Sequence, residues 1–367
     1  MSEFRDKVQL VHSGKEYFET LKNILQAARY CIHLQTYIFE EDETGKEIAE
    51  ILIQKAQEGV KVCVLVDDFG SKELSKKFKK NLLSQGVQIR TFSPFQIFRL
   101  RFGRRLHQKI VVSDMKFALI GGINIANKYA GVGRKEWLDF AVLLEGEIVR
   151  QCFWICQQFW NKKYQRDVFI QNNYIFLLQQ DFIRGKKEIA RAYREAIAKA
   201  QNEIWIVASY FLPNKSLRRL FIRKAKEGVK IKILLSAISD VQFFKKATEY
   251  LYAELEKAGI QIYEYLPSVV HGKVMLVDDT WATVGSYNLN AISEYMSVEM
   301  NVATTEPNFI QLLRKDLQKT FTAESVLVQY AYKRRNIFTR FYFWLIRFVL
   351  KVAIRFLRKN RQSYLRE

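Results

Sequence analysis

Residues 107–124 read HQKIVVSDMKFALIGGIN, and residues 271–288 read HGKVMLVDDTWATVGSYN. Both obey one spacing: His-x-Lys, four residues, Asp, six residues, then Gly-[Gly/Ser]-x-Asn. The chain has four histidines, and two of them open these copies. Residues two apart in a strand share a face, so each His and Lys project together. The apolar residues that follow, Ile110 to Val112 and Val274 to Val277, read as the buried part of that strand. The Gly-[Gly/Ser]-x-Asn turn ends the next strand and returns an amide to the same end.

Working outward, the repeat widens. AQEGVKVCVLVDD (56–68) matches AKEGVKIKILLSA (225–237), GVQIRTF from Gly86 matches GIQIYEY from Gly259, and QTYIF near Tyr37 matches ASYFL near Tyr210. Each half reads strand, helix, strand, helix, strand, then the His-Lys segment. This alternation predicts an α/β fold of two similar domains, each a mixed sheet flanked by helices. The expected boundaries are 1–165 and 166–325, with a separate tail at 326–367. Thr44-Gly-Lys-Glu47 reads as a capping box and Ser71 as an N-cap.

The bulk numbers fit this plan. With 367 residues, 49% apolar and 26% charged, the chain is globular and long enough for two domains. A net charge of +21 favours a polyanion, either nucleic acid or anionic lipid. Cys31, Cys63, Cys152 and Cys156 have no zinc spacing and read as reduced core thiols. His33 reads as structural, and His12 has no site context. No stretch resembles a signal peptide, and no charge-free run of about 18 residues predicts a spanning helix. The expected location is therefore the cytoplasm.

The repeated residues suit one chemistry. Two facing halves offer two imidazoles, two lysines and two amides around a single phosphate. Lys109, Lys273, Asn124 and Asn288 would offset charge on the non-bridging oxygens. One of His107 and His271 would attack phosphorus while the other moves the proton of the leaving and incoming oxygens. An attacking imidazole needs its other nitrogen held by an acceptor. Asp139 in EWLDFAV and Glu299 in MSVEMNV are the candidates, each in an apolar run where an unpaired carboxylate is costly. Asp114 and Asp278 belong to the catalytic motif; tying the strand through buried hydrogen bonds is the alternative role. No metal and no cofactor is expected.

Two further stretches stand out. The first half carries nine extra residues within TFSPFQIFRLRFGRR (91–105). Phe98, Arg99, Arg101, Arg104 and Arg105 make either a surface loop or a greasy cationic lip suited to a lipid. In the tail, Arg347, Lys351, Arg355 and Lys359 recur every four residues, and Phe341, Trp344, Phe348 and other apolar residues cover the remainder. This pattern predicts an amphipathic helix lying in the plane of a membrane, with Trp344 among its contacts.

At these residues the chain resembles the phospholipase D superfamily, whose signature is the duplicated His-Lys-Asp motif. The resemblance spans about residues 8–322. Within the superfamily the chain is most similar to bacterial cardiolipin synthases of the B type, through GGIN in the first copy and DDTWATVGSYNL in the second. That resemblance implies a pseudo-twofold with one shared site, a phosphohistidine intermediate, His107 as nucleophile and His271 as acid and base. It implies phosphatidyl transfer between two phosphatidylglycerol molecules, giving cardiolipin and glycerol. An anionic phospholipid substrate, a membrane-surface partner and no nucleic acid are expected. So is a peripheral place on the cytoplasmic face of a bacterial inner membrane. The rival is a phosphodiesterase of the same superfamily that cleaves nucleic acid or hydrolyses phospholipid. The chain departs from the family pattern at Asn290, Ile292-Ser293 and Ser297, where Asp, Arg-Ser and Asn are common.

Overall fold

The computed structural model describes residues 6–93, 104–164 and 173–329, with 338, 341–346, 348, 349 and 352 of the tail. The first half runs β1 (Lys7–His12), α1 (Lys15–Gln26), β2 (Cys31–Thr36), α2 (Glu43–Gln57), β3 (Lys61–Asp67), α3 (Lys76–Ser84), β4 (Gln88–Phe92), β5 (Arg105–Leu106), β6 (Lys109–Ser113), β7 (Phe117–Gly121), α4 (Asn127–Ala130), β8 (Phe140–Glu145) and α5 (Ile148–Asn161). The second runs β9 (Ile175–Asp181), β10 (Lys186–Lys187), α6 (Glu188–Lys199), β11 (Glu203–Ala208), α7 (Lys215–Lys226), β12 (Lys230–Ser236), α8 (Gln242–Lys257), β13 (Gln261–Tyr265), β14 (Lys273–Val277), β15 (Trp281–Gly285), α9 (Ala291–Tyr295), β16 (Ser297–Thr304), α10 (Pro307–Ala323) and β17 (Ser325–Leu327).

The duplicated sequence folds into duplicated sheets. The first has the order β1-β8-β7-β6-β2-β3-β4, and the second contains β9-β16-β15-β14-β11-β12-β13. Strand for strand these are the same arrangement. In each, three strands joined by crossover helices run parallel (β2, β3, β4 and β11, β12, β13), and the His-Lys strands pair antiparallel. β10 and β17 extend the second sheet at its edges, so that sheet continues past residue 325. β6 and β14 are buried along their whole length, which accounts for their unbroken apolar runs.

Three apolar layers hold the molecule together. One lies between the first sheet and the helices outside it, and contains Leu21, Ile48 and Leu52. Its counterpart outside the second sheet contains Ile197, Phe221 and Leu251. The third is continuous across both halves: Val142 and Ile155 of the first meet Val284, Met300 and Leu313 of the second. The halves therefore share a core, and a site between them rests on rigid elements.

Two local expectations are corrected. Asp42, not Thr44, caps α2 through Gly45 N, and Thr44 instead donates its hydroxyl to Asn127 Oδ1. Ser75, not Ser71, caps α3; Ser71 binds the backbone of Tyr37 and Phe39. In the tail, residues 341–346 are helical, and Phe343 and Ile346 are buried. One edge of this segment therefore docks on the body, where the Lys246 ammonium lies 5.2 Å from the Tyr342 ring. The outward side stacks Phe341 on Trp344 and Trp344 on Phe348. Phe98, Arg99, Arg101, Arg347, Lys351 and Arg355 lie outside the described residues.

Candidate active site

Each histidine is delivered by a short extended segment that docks on the other half. His107 N and Gln108 N both donate to Val298 O, at 2.9 and 2.8 Å. His271 N and Gly272 N both donate to Leu138 O, at 2.8 Å. β5, just before His107, joins β16 of the second sheet, and Val270, just before His271, bridges to Leu138. Asp67, fully buried, accepts from Leu106 N at 2.8 Å and fixes β5 from the first-half side.

Val298 and Leu138 each precede a carboxylate, so the docking registers the rings as well. His107 Nδ1 lies 2.8 Å from Glu299 Oε2, and His271 Nδ1 lies 2.6 Å from Asp139 Oδ2. The two acceptors of the sequence reading are thus brought to the histidines, in a crossed arrangement. Each imidazole takes its acceptor from the opposite half. A carboxylate on Nδ1 places the hydrogen there and leaves Nε2 with its lone pair.

The acceptors are themselves held. Glu299 accepts from Ser286 Oγ at 2.5 Å and from Ser293 Oγ at 2.6 Å. Asp139 accepts from Phe140 N at 2.8 Å. The difference between the copies at Gly122 and Ser286 follows from this. A Cβ on Gly122 would stand 2.3 Å from Asp139 Oδ1, whereas Ser286 uses its side chain to reach the longer Glu299.

Aromatic rings wall both imidazoles. Tyr37 lies 4.9 Å from His107, with Lys109 Nζ 5.2 Å from the same Tyr ring. Tyr129 and Trp137 lie 5.2 and 5.8 Å from His271. These rings were not singled out from sequence, although Tyr37 sits in the repeated QTYIF/ASYFL pair. Lys109 and Lys273 each donate to the carbonyl of the histidine two residues before.

The electrostatics reflect two buried cations sharing a small space. Burial pushes the Lys109 ammonium down to about 7, against the pull of Glu299 and aided by Lys273. Burial pushes Lys273 down to about 8, against the pull of Asp139 and Glu299. Burial also lowers His107, with Glu299 opposing and Lys109 assisting. His271 falls well below its ordinary value through burial, then Lys273, Lys109 and His107. Asp139 is pushed up to about 6 by burial, against the lysines. An arriving anion would reverse the lysine and histidine shifts, since it supplies the missing counter-charge.

Asp114 and Asp278, assigned with the catalytic motif, occupy the far end of their strands. Asp114 accepts from the backbone N–H groups of Arg29, Tyr30 and Cys31, at 2.6 to 2.8 Å. Asp278 does the same for Gln201, Asn202 and Glu203, at 2.8 to 3.0 Å. Both sit at positive φ, 53° and 49°, which aspartate tolerates better than most residues. Their place in the motif is that of strand ties, the alternative role.

The paired asparagines also diverge. Asn124 is fully buried: its Oδ1 accepts from Ile38 N at 2.9 Å and its Nδ2 donates to Tyr129 OH at 2.8 Å. It braces the ring beside His271. Asn288 is also buried, but its Oδ1 has no partner.

Arg105 is close by, with its guanidinium 4.7 Å from the Phe69 ring, and Arg104 lies 5.6 Å from the Phe182 ring. His33 is buried and near Gln157, and His12 bridges Glu16 and Asp316; neither reaches the site. The four cysteines are free thiols, three of them buried. Among the described residues no cluster of His, Cys, Asp and Glu could hold a metal ion. No helix among them is long and apolar enough to cross a membrane.

Comparisons with known proteins agree with this geometry. The family model described as cardiolipin synthase, PLD-like domain, matches twice, at residues 21–151 and 193–321. Cardiolipin synthase B of Shigella flexneri is 33% identical over 87% of this chain and 81% of its own length. Cardiolipin synthase 1 of Bacillus cereus is 27% identical over 91% of this chain and 70% of its own. Among solved structures, a phosphatidylserine synthase from Haemophilus influenzae superposes with a TM-score of 0.74, at 14% identity, covering 96% of this chain and 94% of that one. At that identity it speaks for the fold. Two intact copies of one motif, sharing one crossed site, and relatives matched over most of both lengths lead to one conclusion: the chain belongs to the cardiolipin synthase family of phospholipase D-like phosphatidyltransferases.

Proposed function

We propose that this site joins two phosphatidylglycerol molecules into cardiolipin and glycerol, with His107 as nucleophile and His271 as proton carrier. With the anionic phosphate bound, His271 carries a second proton on Nε2; His107 Nε2 attacks phosphorus, and the bond from phosphorus to the glycerol oxygen breaks as His271 delivers that proton to it. Glycerol leaves, and the phosphatidyl group remains on His107. The terminal hydroxyl of a second phosphatidylglycerol then attacks that phosphorus, His271 takes its proton, and the bond to nitrogen breaks. One phosphodiester replaces another, so the cycle balances without a nucleotide or a redox partner.

The crossed pairs carry this reading. Two imidazoles with Nδ1 held at 2.8 and 2.6 Å suit attack and proton transfer through the opposite nitrogens. Lys109, Lys273 and Asn288 supply positive charge and an amide for the non-bridging oxygens. Enclosure by Tyr37, Tyr129 and Trp137 favours a lipid alcohol over water as acceptor.

The test separates the two histidines. With radiolabelled phosphatidylglycerol, His107→Ala should form no phosphoenzyme. His271→Ala should lose on the order of 10³-fold in transfer. It should regain phosphoenzyme formation with a nitrophenyl ester, whose leaving group needs no proton. Labelling of His107→Ala at the wild-type rate would reject the assignment.

The same histidines could serve a nuclease, and +21 suits nucleic acid as well. Cleavage of single-stranded DNA beside inert phosphatidylglycerol vesicles would decide for that rival. The outward aromatic stack of the tail favours lipid and a peripheral place on the cytoplasmic face of a bacterial inner membrane. Truncation at Lys333 should sharply weaken sedimentation with anionic vesicles; undiminished sedimentation would remove the tail from that role.

A further inference from the structure

The loops that follow β3 and β12 are topological equivalents, and both carry apolar side chains into solvent. Phe69 is 59% exposed in the first; Ile238, Val241 and Phe243 are 55%, 37% and 40% exposed in and just after the second. These loops leave the carboxyl ends of the parallel strands, the end where sheets of this kind bind ligands. Each borders the site through named contacts. Arg105 sits over the Phe69 ring and its charge acts on Tyr37, whose ring lies 4.9 Å from His107. Opposite, Tyr210 OH donates to Asp240 at 2.6 Å, and the Phe244 ring lies 5.3 Å from Tyr210. The charge of Asp240 acts on Lys273. One turn further along α8, Lys246 meets the docked tail at Tyr342.

We propose that these two loops form a membrane-insertion rim: Phe69 on one side and Ile238, Val241 and Phe243 on the other enter an anionic bilayer, so that the mouth of the site faces the lipid. The proposal rests on the lipid-transfer reading and adds its geometry. Apolar tips alone would suit any greasy partner. Here the half-buried Arg105 stands 4.7 Å from the Phe69 ring and the half-buried Lys246 5.2 Å from the Tyr342 ring, so cations adjoin the apolar edge. That pairing matches hydrocarbon behind anionic headgroups. A rim on both sides of one mouth also solves a physical problem of the reaction. A headgroup phosphate can reach the histidines while its acyl chains stay in the bilayer, so lipid extraction into water is avoided.

Two measurements test this. A polarity-sensitive fluorophore on Val241→Cys, compared with unsubstituted protein labelled in parallel, should shift to the blue on phosphatidylglycerol vesicles. It should not shift on phosphatidylcholine vesicles or single-stranded DNA. No shift on anionic vesicles, or a shift on DNA alone, overturns the rim. The paired variant Ile238→Ser/Phe243→Ser should lose at least tenfold in rate on vesicles. It should keep the wild-type rate on short-chain phosphatidylglycerol below its micelle concentration, which also reports that it folds. Equal loss on both substrates, or no loss on vesicles, overturns the proposal. The fluorescence readout requires no turnover, so failure of the chemistry and failure of the rim are told apart.

Discussion

Asp114 is the residue at which motif and structure part most clearly. Its carboxylate holds three backbone N–H groups at the start of β2, and Asp278 repeats this at β11. Asp114→Ala should cost about 1–3 kcal/mol of stability by leaving those donors to solvent. The melting temperature should fall by several degrees while turnover per folded molecule stays within about twofold. A hundredfold loss of turnover with unchanged melting would return the residue to the chemistry. Gly122 behaves oppositely. A methyl there meets the Asp139 carboxylate at 2.3 Å, so Gly122→Ala should displace the acceptor of His271 and lower turnover about a hundredfold. The buried lysines set a pH dependence. Burial holds Lys109 down to about 7 and Lys273 to about 8, and a bound phosphodiester would raise both. Affinity is therefore complete while both are protonated and is lost as the pH rises through these values. Above pH 8, kcat/KM should fall about tenfold per unit for each proton required. The acid limb should lie below the ordinary histidine value, because burial lowers His107. A profile flat from pH 7 to 10 would contradict the role of the lysines.

At the scale of elements, α9 links a local cap to the chemistry. Asn290 Oδ1 accepts from Ile292 N and Ser293 N at 3.0 Å, and Ser293 Oγ reaches Glu299 at 2.6 Å. Asn and Asp side chains can both cap a helix in this way. Asn290→Ala should cost about 1 kcal/mol and loosen Glu299, lowering kcat about tenfold, whereas Asn290→Asp should restore both. A defect of equal size in the Asp variant would mean the amide acts otherwise. The same elements show what sequence makes legible. Repeats of the βαβ strands and the His-Lys hairpin were plain because they are local and occur twice. Asp139 and Glu299 stood out because a carboxylate in an apolar run demands a partner. The identity of that partner was hidden, since crossing depends on how two sheets face each other and leaves no spacing in one chain. The caps of α2 and α3 differ from the expectation for a related reason: Asp42 stands two residues before Thr44 and Ser75 four after Ser71, and tertiary contacts at Asn127 and Tyr37 claim Thr44 and Ser71.

For the whole molecule, the consequence of crossing is that neither half alone pairs its histidine with a carboxylate. His107 without Glu299, or His271 without Asp139, would be a buried ring with no acceptor. The shared core of Val142, Ile155, Val284 and Met300 keeps these pairs in register. Around that rigid centre the surplus of +21 works at longer range. Screening shortens the reach of exposed charges to about 8 Å at physiological ionic strength and about 3 Å at 1 M salt. Apolar insertion does not weaken in this way. Binding to phosphatidylglycerol vesicles should therefore fall steeply between 0.05 and 0.5 M salt, as on the order of 1 kcal/mol per basic residue near the surface is screened. It should then level off at a residual set by the tail stack and the apolar loops. Removing Trp344 and Phe348 by substitution with Ala should lower the residual and leave the salt-sensitive part in place. Vesicle sedimentation across that salt range measures both. A curve that drops to zero in the unsubstituted protein would mean that charge alone holds this chain on lipid, and the aromatic surface would need another purpose.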